Sequence, residues 1–232
     1  MNTGGGWLGS RLVLGARRVV APFRPILYRT RPFSMWGLER GTPIDRWYLE
    51  GFLDRHRSDI RGRVLEVKDS SYTDRFGAGV VHRDVIDIDG SNPHATVIAE
   101  LGAADNVPSD SFDCLLLTQT LQYVSDPARA VEQAHRMLVA GGVLLASLPS
   151  IIRVETTARE VDRWRFTEAS CRGLFGSAFG PDRVEISTRG NVAAAVGFLL
   201  GLAAEELGPR RLARLDPDFP VVVLVRAVKG GS

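Results

Sequence analysis

Sulfur and imidazole side chains are scarce in this sequence. It contains two cysteines, Cys114 and Cys171, and four histidines scattered along 232 residues. Two cysteines do not make a disulfide framework, and without a CxxC pair or a His/Cys cluster no metal site is expected. Cys114 lies inside an apolar run and is predicted to be a small core residue. The cysteine usage therefore predicts a cytoplasmic protein without a bound metal.

A strong net charge and a long hydrophobic run are also lacking. The formal net charge is +2, with 24% charged and 44% hydrophobic residues. This balance gives no indication of a nucleic-acid partner. The most apolar stretch, residues 191 to 207, contains Gly197 and Gly201 and is too short for a membrane span, so we predict a buried or interface helix there. At this length one domain is the default expectation.

Acidic residues are absent from the first 38 positions, which hold six arginines interleaved with apolar residues. This part is too short and too charged for a transmembrane helix, and it lacks the uninterrupted apolar core of a signal peptide. We therefore divide the chain into a basic N-terminal arm, residues 1 to 38, and a domain, residues 39 to 232. The arm pattern predicts weak peripheral contact of residues 1 to 34 with an anionic membrane surface. The alternative is a leader, or a helix packed on the domain.

Short apolar runs, each followed by polar or turn-forming residues, fill the stretch from Arg63 to Pro149. They are Arg63–Val67, Asp84–Asp89, Ala95–Ala99, Phe112–Leu117 and Gly142–Leu148. Aliphatic runs without strict alternation are typical of strands buried on both faces of a parallel sheet. Residues 127 to 139 carry apolar side chains at helical spacing, which predicts a crossover helix. Gly141-Gly142 would end that helix with a left-handed cap.

The flanking regions predict further elements of the same kind. Thr42 is a plausible N-cap for a helix that begins with Pro43, and Thr167 is one for a helix over Glu168–Phe179. Two more strands are predicted over Asp182–Thr188 and Phe219–Val228.

The order of these segments resembles the class I S-adenosylmethionine-dependent methyltransferases, in particular the broad type 11 group. The segments that carry the resemblance are Val64–Val67, Val85–Asp89, Ser111–Leu117, Leu121–Pro127 and Met137–Leu145. It covers roughly residues 40 to 228 and is most specific from Phe112 to Pro149. The resemblance implies a doubly wound, mostly parallel seven-stranded α/β sheet of the Rossmann-like methyltransferase type, with an antiparallel last strand. It also implies S-adenosyl-L-methionine as the cofactor.

Polar residues at predicted strand ends are the candidates for the site, because ligands of open α/β sheets lie beyond the carboxyl ends of the strands. By resemblance, Glu66 assists the methionine part of the cofactor, while Glu100 and Leu101 meet the adenine. Asp89 would accept hydrogen bonds from the ribose hydroxyls. We prefer it to Asp87 because Gly90 and Pro93 place the strand end at Asp89.

The turn after the first strand departs from the family pattern. Where glycines are expected, the chain reads Lys68-Asp69-Ser70-Ser71-Tyr72, and its first glycine is Gly77. Glycine suits such turns because it tolerates positive φ and close approach of a ligand. Lys68 would either contact the cofactor's carboxylate or neutralise Glu66.

The substrate side is less well defined by the sequence. Thr118 and Gln119 end the fourth strand, which in the resembled fold lies beside the transferable methyl group. Tyr123 follows them, and Trp164 and Arg165 close a long polar connection of the kind that carries substrate contacts. The residues before the first helix, Arg40, Thr42 and Asp45, would line the cofactor edge or only cap the helix.

We therefore predict a methyltransferase acting on an oxygen or nitrogen atom of a small-molecule or glycan-type acceptor. No catalytic base is identified, which agrees with a reaction accelerated mainly by positioning. The alternative is a methyltransferase-like scaffold without activity, which the missing glycines favour and the retained acids oppose. A nicotinamide-dependent oxidoreductase is a weak third reading, because the chain has no GxGxxG turn after a strand. The sequence leaves the oligomeric state open.

Overall fold

The computed structural model describes residues 29–231, and the part from Ser34 onward forms one compact unit. Residues 1–28, which make up most of the predicted basic arm, lie outside the described residues. The arm, its boundary and its membrane contact therefore stay predictions. Within residues 29–231 there is no helix of the length and apolarity needed to cross a membrane.

The described residues form a seven-stranded sheet with the order β3-β2-β1-β4-β5-β7-β6. The strands are β1 Gly62–Val67, β2 Val80–Asp87, β3 Val97–Ile98, β4 Phe112–Thr118, β5 Leu138–Pro149, β6 Val184–Arg189 and β7 Val222–Val228. Strands β1 to β5 pair in parallel, and β7 is antiparallel to both β5 and β6. The predicted fold class, including the antiparallel last strand, is confirmed.

Helices cover both faces of this sheet. They are α1 Ile44–Arg55, α2 Ser71–Phe76, α3 Pro127–Met137, α4 Glu168–Phe179, α5 Val192–Leu199, α6 Ala204–Leu207 and α7 Pro209–Leu212. The predicted cap of α4 is correct, because Thr167 accepts a hydrogen bond from Ser170 N. The cap of α1 is not Thr42 as predicted: Pro43 occupies the N-cap position and makes no side-chain cap.

Two hydrophobic clusters explain why the central strands read as continuous apolar runs. Leu65 and Leu115 belong to the cluster that includes α3 and α4, whereas Val64 and Cys114 belong to the cluster that includes α1 and α5. Successive strand residues point to opposite faces, so both faces must be apolar. Cys114 is fully buried, and desolvation raises the pKa of its thiol. It is a core residue, as predicted.

Several element boundaries differ from the predicted ones. The crossover helix ends at Met137, and β5 begins at the next residue, so Gly141-Gly142 does not cap the helix. Gly141 has φ +77° and lies where the β4–β5 register shifts. The predicted helix over residues 191 to 207 is broken into α5 and α6, and Gly201 between them has φ +74°.

A segment before α1, residues 34 to 42, packs over this break, and we call it the strap. Ser34 Oγ donates to Gly201 O at 2.7 Å and accepts from Gly37 N at 2.9 Å. At the other end of the strap, Thr42 N and Oγ1 both donate to the Glu205 carboxylate, at 2.9 and 2.8 Å. These contacts fix the strap beside the N-terminus of α1.

Candidate functional site

A cavity of about 640 Å³ opens at the carboxyl ends of β1 and β4. We call it the large cavity. Its walls come from these strand ends, the turn after β1, and the helices α1 and α2. The lining residues used below are Asp45, Arg46, Glu50, Glu66, Lys68, Asp69, Thr118, Gln119 and Tyr123. This is the edge of the sheet where α/β proteins of this type bind ligands.

Glu66 forms part of the cavity wall but is bonded from the protein side. It is 2% exposed, and its carboxylate accepts hydrogen bonds from Tyr72 N at 3.1 Å and Thr73 N at 2.8 Å. Desolvation raises the pKa of this carboxyl, against the opposing effect of those bonds. Glu66 therefore satisfies N–H groups of the first turn of α2, a position that a ligand carboxylate would otherwise occupy.

Lys68 adopts the backbone conformation that glycine usually supplies. Its φ is +76°, and its N donates to Ile86 O at 3.0 Å. The side chain is exposed and, within the described part of the chain, forms no ion pair. It does not neutralise Glu66 in this structure. Arg46 on α1 is likewise exposed at the cavity and, among the described residues, forms no ion pair. Two cationic side chains therefore face the cavity beside its acids Asp45 and Asp69.

Replacing Lys68 with glycine is expected to weaken ligand binding while leaving the free energy of unfolding nearly unchanged. Glycine should relieve the unfavourable left-handed backbone of Lys68, which stabilises the folded state by about 1 kcal/mol. Glycine also raises the conformational entropy of the unfolded chain, which costs a similar amount. The free energy of unfolding should therefore change by less than about 1 kcal/mol. Loss of an exposed charge should weaken S-adenosylhomocysteine binding by about 1 kcal/mol, roughly fivefold. Calorimetric titration at two salt concentrations measures this, and the loss should shrink at high salt.

The matched control is Lys68→Asn, because asparagine tolerates positive φ but carries no charge. It should bind as weakly as the glycine variant. Tighter binding by Lys68→Gly than by the parent would instead show that the lysine obstructs the turn.

The acids predicted for the ribose lie outside the large cavity. Strand β2 ends at Asp87, so placing the strand end at Asp89 was wrong. Asp89 is exposed, and its carboxylate accepts from Ser91 N and Oγ, which lowers its pKa. Asn92 Nδ2 bridges Lys68 O at 2.7 Å and Asp87 Oδ2 at 2.6 Å. This amide closes the gap between the ends of β1 and β2.

The residues predicted for the adenine are also only partly available. The third strand is two residues long rather than five, and Glu100 follows it as an exposed residue that accepts from Ser125 Oγ at 3.5 Å. Leu101 is 5% exposed and packs in the hydrophobic core. Its side chain therefore offers little surface to an aromatic ring in this conformation.

The end of β4 carries the predicted residues that the structure does bring together. Thr118, Gln119 and Tyr123 line the large cavity along with Glu66 and Lys68. Gln119 has φ +49°, and its N is held by Ser147, at 2.9 Å to O and 3.1 Å to Oγ. This fixed turn directs the chain from the sheet across the cavity mouth.

A second cavity of about 220 Å³ lies between the strap and the turn after β4. We call it the small cavity. It shares Asp45, Arg46, Gln119 and Tyr123 with the large cavity and adds the lining residues Trp36, Leu38, Pro43, Gln122 and Ile152. Burial raises the pKa of the Asp45 carboxyl, and burial also raises that of the Tyr123 hydroxyl.

Sequence reasoning missed Trp36 and Gln122 as site residues. The available signal for Trp36 was a lone tryptophan between basic residues and the first helix. Its position depends on the strap, whose contacts are with residues more than 160 positions away in the sequence. Gln122 carries no local signal of a site residue. Its burial depends on packing that no local pattern specifies.

The remaining predicted residues have structural contacts instead of lining either cavity. Trp164 Nε1 donates to Val124 O at 2.8 Å, and Arg165 pairs with Asp162. Arg40 is bonded to Glu206, which lowers the pKa of that carboxyl to about 2, and Thr42 is bonded to Glu205. These side chains fix the polar connection and the strap.

The family comparison agrees with the geometry. A model described as a methyltransferase domain matches residues 82–146, which is less than half of the chain and begins after the altered turn. The resemblance to the class I, type 11-like S-adenosylmethionine-dependent methyltransferases is confirmed. No curated protein sequence matches the chain.

Solved structures show the same fold at low identity. A methyltransferase from Mesorhizobium loti that depends on S-adenosylmethionine is 16% identical, with a TM-score of 0.52, and the match covers 80% of this chain and 98% of that one. The [4+2]-cyclase SpnF is also 16% identical, with a TM-score of 0.53 and coverage of 80% and 81%. Phosphoethanolamine N-methyltransferase 2 of Haemonchus contortus, solved with S-adenosylhomocysteine, is 12% identical with a TM-score of 0.54, covering 80% and 53%.

These findings show a Rossmann-like fold shared with methyltransferases, with a match to a methyltransferase domain over residues 82–146. They agree with the prediction of methyl transfer as the general reaction, and two of the similar structures are of enzymes that depend on S-adenosylmethionine or were solved with S-adenosylhomocysteine. The cyclase shows that one fold can carry different chemistry, so the acceptor must be argued from the site.

Proposed function

We propose that this chain binds S-adenosylmethionine in the large cavity and methylates an oxygen or nitrogen atom of a small-molecule or glycan-type acceptor. The observation that carries the proposal is the large cavity itself, at the carboxyl ends of β1 and β4. Its volume lies within the range of about 300–1,000 Å³ typical of small-molecule sites.

The lining residues fit the amino-acid end of the cofactor. That end carries a carboxylate and an ammonium group, and the large cavity offers both exposed cations, Lys68 and Arg46, and acids, Glu66 and Asp69. The cations would hold the carboxylate and the acids the ammonium group. The ribose and adenine end extends toward β2 and β3, where Asn92 would have to release Asp87.

Bound S-adenosylmethionine supplies a methyl group on a positively charged sulfur. The lining residues named above would hold the cofactor so that this methyl group is available to the acceptor atom, with the sulfonium as the leaving group. The chain's contribution is to orient the acceptor and exclude water. We assign the acceptor's proton to the Asp45 carboxylate, which lines both cavities and whose raised pKa suits a general base.

A scaffold without cofactor remains the second candidate function, and two contacts favour it. Glu66 already occupies the N–H groups of α2, and Asn92 bridges the ends of β1 and β2. Against it, the large cavity is open and has two exposed cations, Lys68 and Arg46, in its wall. A direct binding measurement distinguishes the two functions.

Titration with S-adenosylhomocysteine is expected to give saturable binding to the full-length protein. Because β2 ends at Asp87, the Asp87→Ala variant should lose about 1.5–3 kcal/mol of binding free energy, the scale of hydrogen bonds to a charged group. Asp89→Ala is the matched control and should lose less. If Asp87→Ala bound S-adenosylhomocysteine normally and Asp89→Ala bound it weakly, the ribose contact would belong to Asp89. No heat of binding and no thermal shift at a high concentration of S-adenosylhomocysteine would favour the scaffold function.

A further inference from the structure

The small cavity adjoins the proposed cofactor site, and the two share part of their walls. Asp45, Arg46, Gln119 and Tyr123 line both cavities. The remaining wall is largely apolar and comes from the strap and from Ile152. Trp36 is held in place by Phe198, at 6.4 Å between ring centroids, and by the Arg153 guanidinium 3.9 Å from its ring. A volume of about 220 Å³ suits a single ring rather than an oligosaccharide.

Gln122 places an unsatisfied acceptor at this cavity. The side chain is 2% exposed, and its Nε2 donates to Gln119 O at 2.8 Å, which fixes the amide. Its Oε1 is buried and accepts no hydrogen bond from any residue in the described range. Buried polar atoms are almost always hydrogen-bonded, so the unpaired oxygen of this cavity-lining residue is open to a donor from a water or from a ligand.

We infer that the small cavity is the acceptor site, and that the acceptor is a single-ring molecule with an N–H or O–H group that donates to Gln122 Oε1. The inference rests on the proposed function, because it takes the large cavity as the cofactor site. It narrows the acceptor from a glycan chain to a small ring. The opposite charges of Asp45 and Arg46 at the shared wall favour a neutral or zwitterionic ring. Gln122 is a positioning residue that orients the acceptor.

Matched probes test this assignment without knowledge of the natural acceptor. Phenol and aniline carry a donor, whereas toluene has the same ring without one. Each is titrated into the full-length protein while nuclear magnetic resonance follows the Trp36 indole and the Gln122 side-chain amide. Phenol and aniline should shift both signals and bind more tightly than toluene. Gln122→Leu should weaken the binding of phenol and aniline about three- to tenfold, which corresponds to the loss of one neutral hydrogen bond. The affinity for toluene should stay unchanged.

The toluene titration also controls for collapse of the cavity in the Gln122→Leu variant, and Trp36→Ala should weaken all three probes. Equal binding of phenol to the parent and to Gln122→Leu would overturn the inference, as would probe titrations that leave Trp36 unshifted. In either case, saturable S-adenosylhomocysteine binding in a parallel titration would leave the proposed function intact. Probe binding by a protein that does not bind S-adenosylhomocysteine would overturn both, because the cavity could not then serve an acceptor.

Discussion

Replacing Glu66 with alanine is expected to lower the free energy of unfolding by about 2–3 kcal/mol, which should lower the melting temperature by roughly 4–12 °C for a domain of this size. The carboxylate is buried and is the partner of Tyr72 N and Thr73 N at the start of α2. Alanine removes both acceptors and leaves a void beside the strand. Chemical denaturation and calorimetry measure the loss.

Two comparison variants show whether the carboxylate itself is responsible. Glu66→Gln keeps the volume and one acceptor oxygen and should lose about half as much. Glu50→Ala removes another acid of the same cavity that pairs with Arg75 near the surface, and should cost less than about 1 kcal/mol. A Glu66→Ala variant as stable as the parent would refute the capping role.

The pH dependence gives a second measure of Glu66. Desolvation raises the pKa of its carboxyl in the folded protein, so the folded state binds this proton more tightly than the unfolded chain. The resulting stabilisation is fully present below the unfolded pKa and is lost as pH rises through the folded one. The stability of the parent relative to Glu66→Gln should therefore be greater near pH 4 than near pH 7.

The second large effect is expected at Gly201, where alanine should cost about 3 kcal/mol. A left-handed backbone is unfavourable for alanine by about 1–2 kcal/mol. In addition, its Cβ would lie 2.1 Å from Ser34 O and 2.7 Å from Ser34 C, so the strap would have to move. Denaturant unfolding gives the energy, and the Trp36 indole resonance reports displacement of the strap.

Gly141 provides the matched control for this substitution. It has φ +77°, close to the +74° of Gly201, but a Cβ there would meet no atom within 4 Å. Gly141→Ala should therefore show the backbone cost alone, about 1–2 kcal/mol, with an unchanged Trp36 signal. Equal losses for the two variants would mean that contact with the strap contributes nothing.

The sheet could be predicted from the sequence because its strands are specified by local composition. The run Phe112–Leu117 is apolar on both faces, and the structure extends it by one residue to Thr118. Strand ends were less predictable. Gly90 and Pro93 suggested Asp89, but Asn92 folds back on Asp87 and Lys68 and ends the pairing earlier.

The site was only partly predictable, for a related reason. Glu66, Lys68, Thr118 and Gln119 were found because they follow strands, and strand ends meet at one edge of a parallel sheet. The small cavity was not found, because it depends on the strap and on the break at Gly201. That break cannot be read from a single glycine in an alanine-rich helix, since its position is set by Ser34.

Apart from the four residues that line both, the walls of the two cavities come from different parts of the chain. The large cavity is formed around strand ends on which the sheet depends. The strap is bonded to the short region from Gly201 to Glu206, and its Trp36 also packs against Phe198 and Arg153. Exchange of these two segments as a matched pair would alter the wall around Trp36 and leave the sheet untouched. New acceptor preferences could thus arise by recombination of short segments, without rebuilding the cofactor half of the protein.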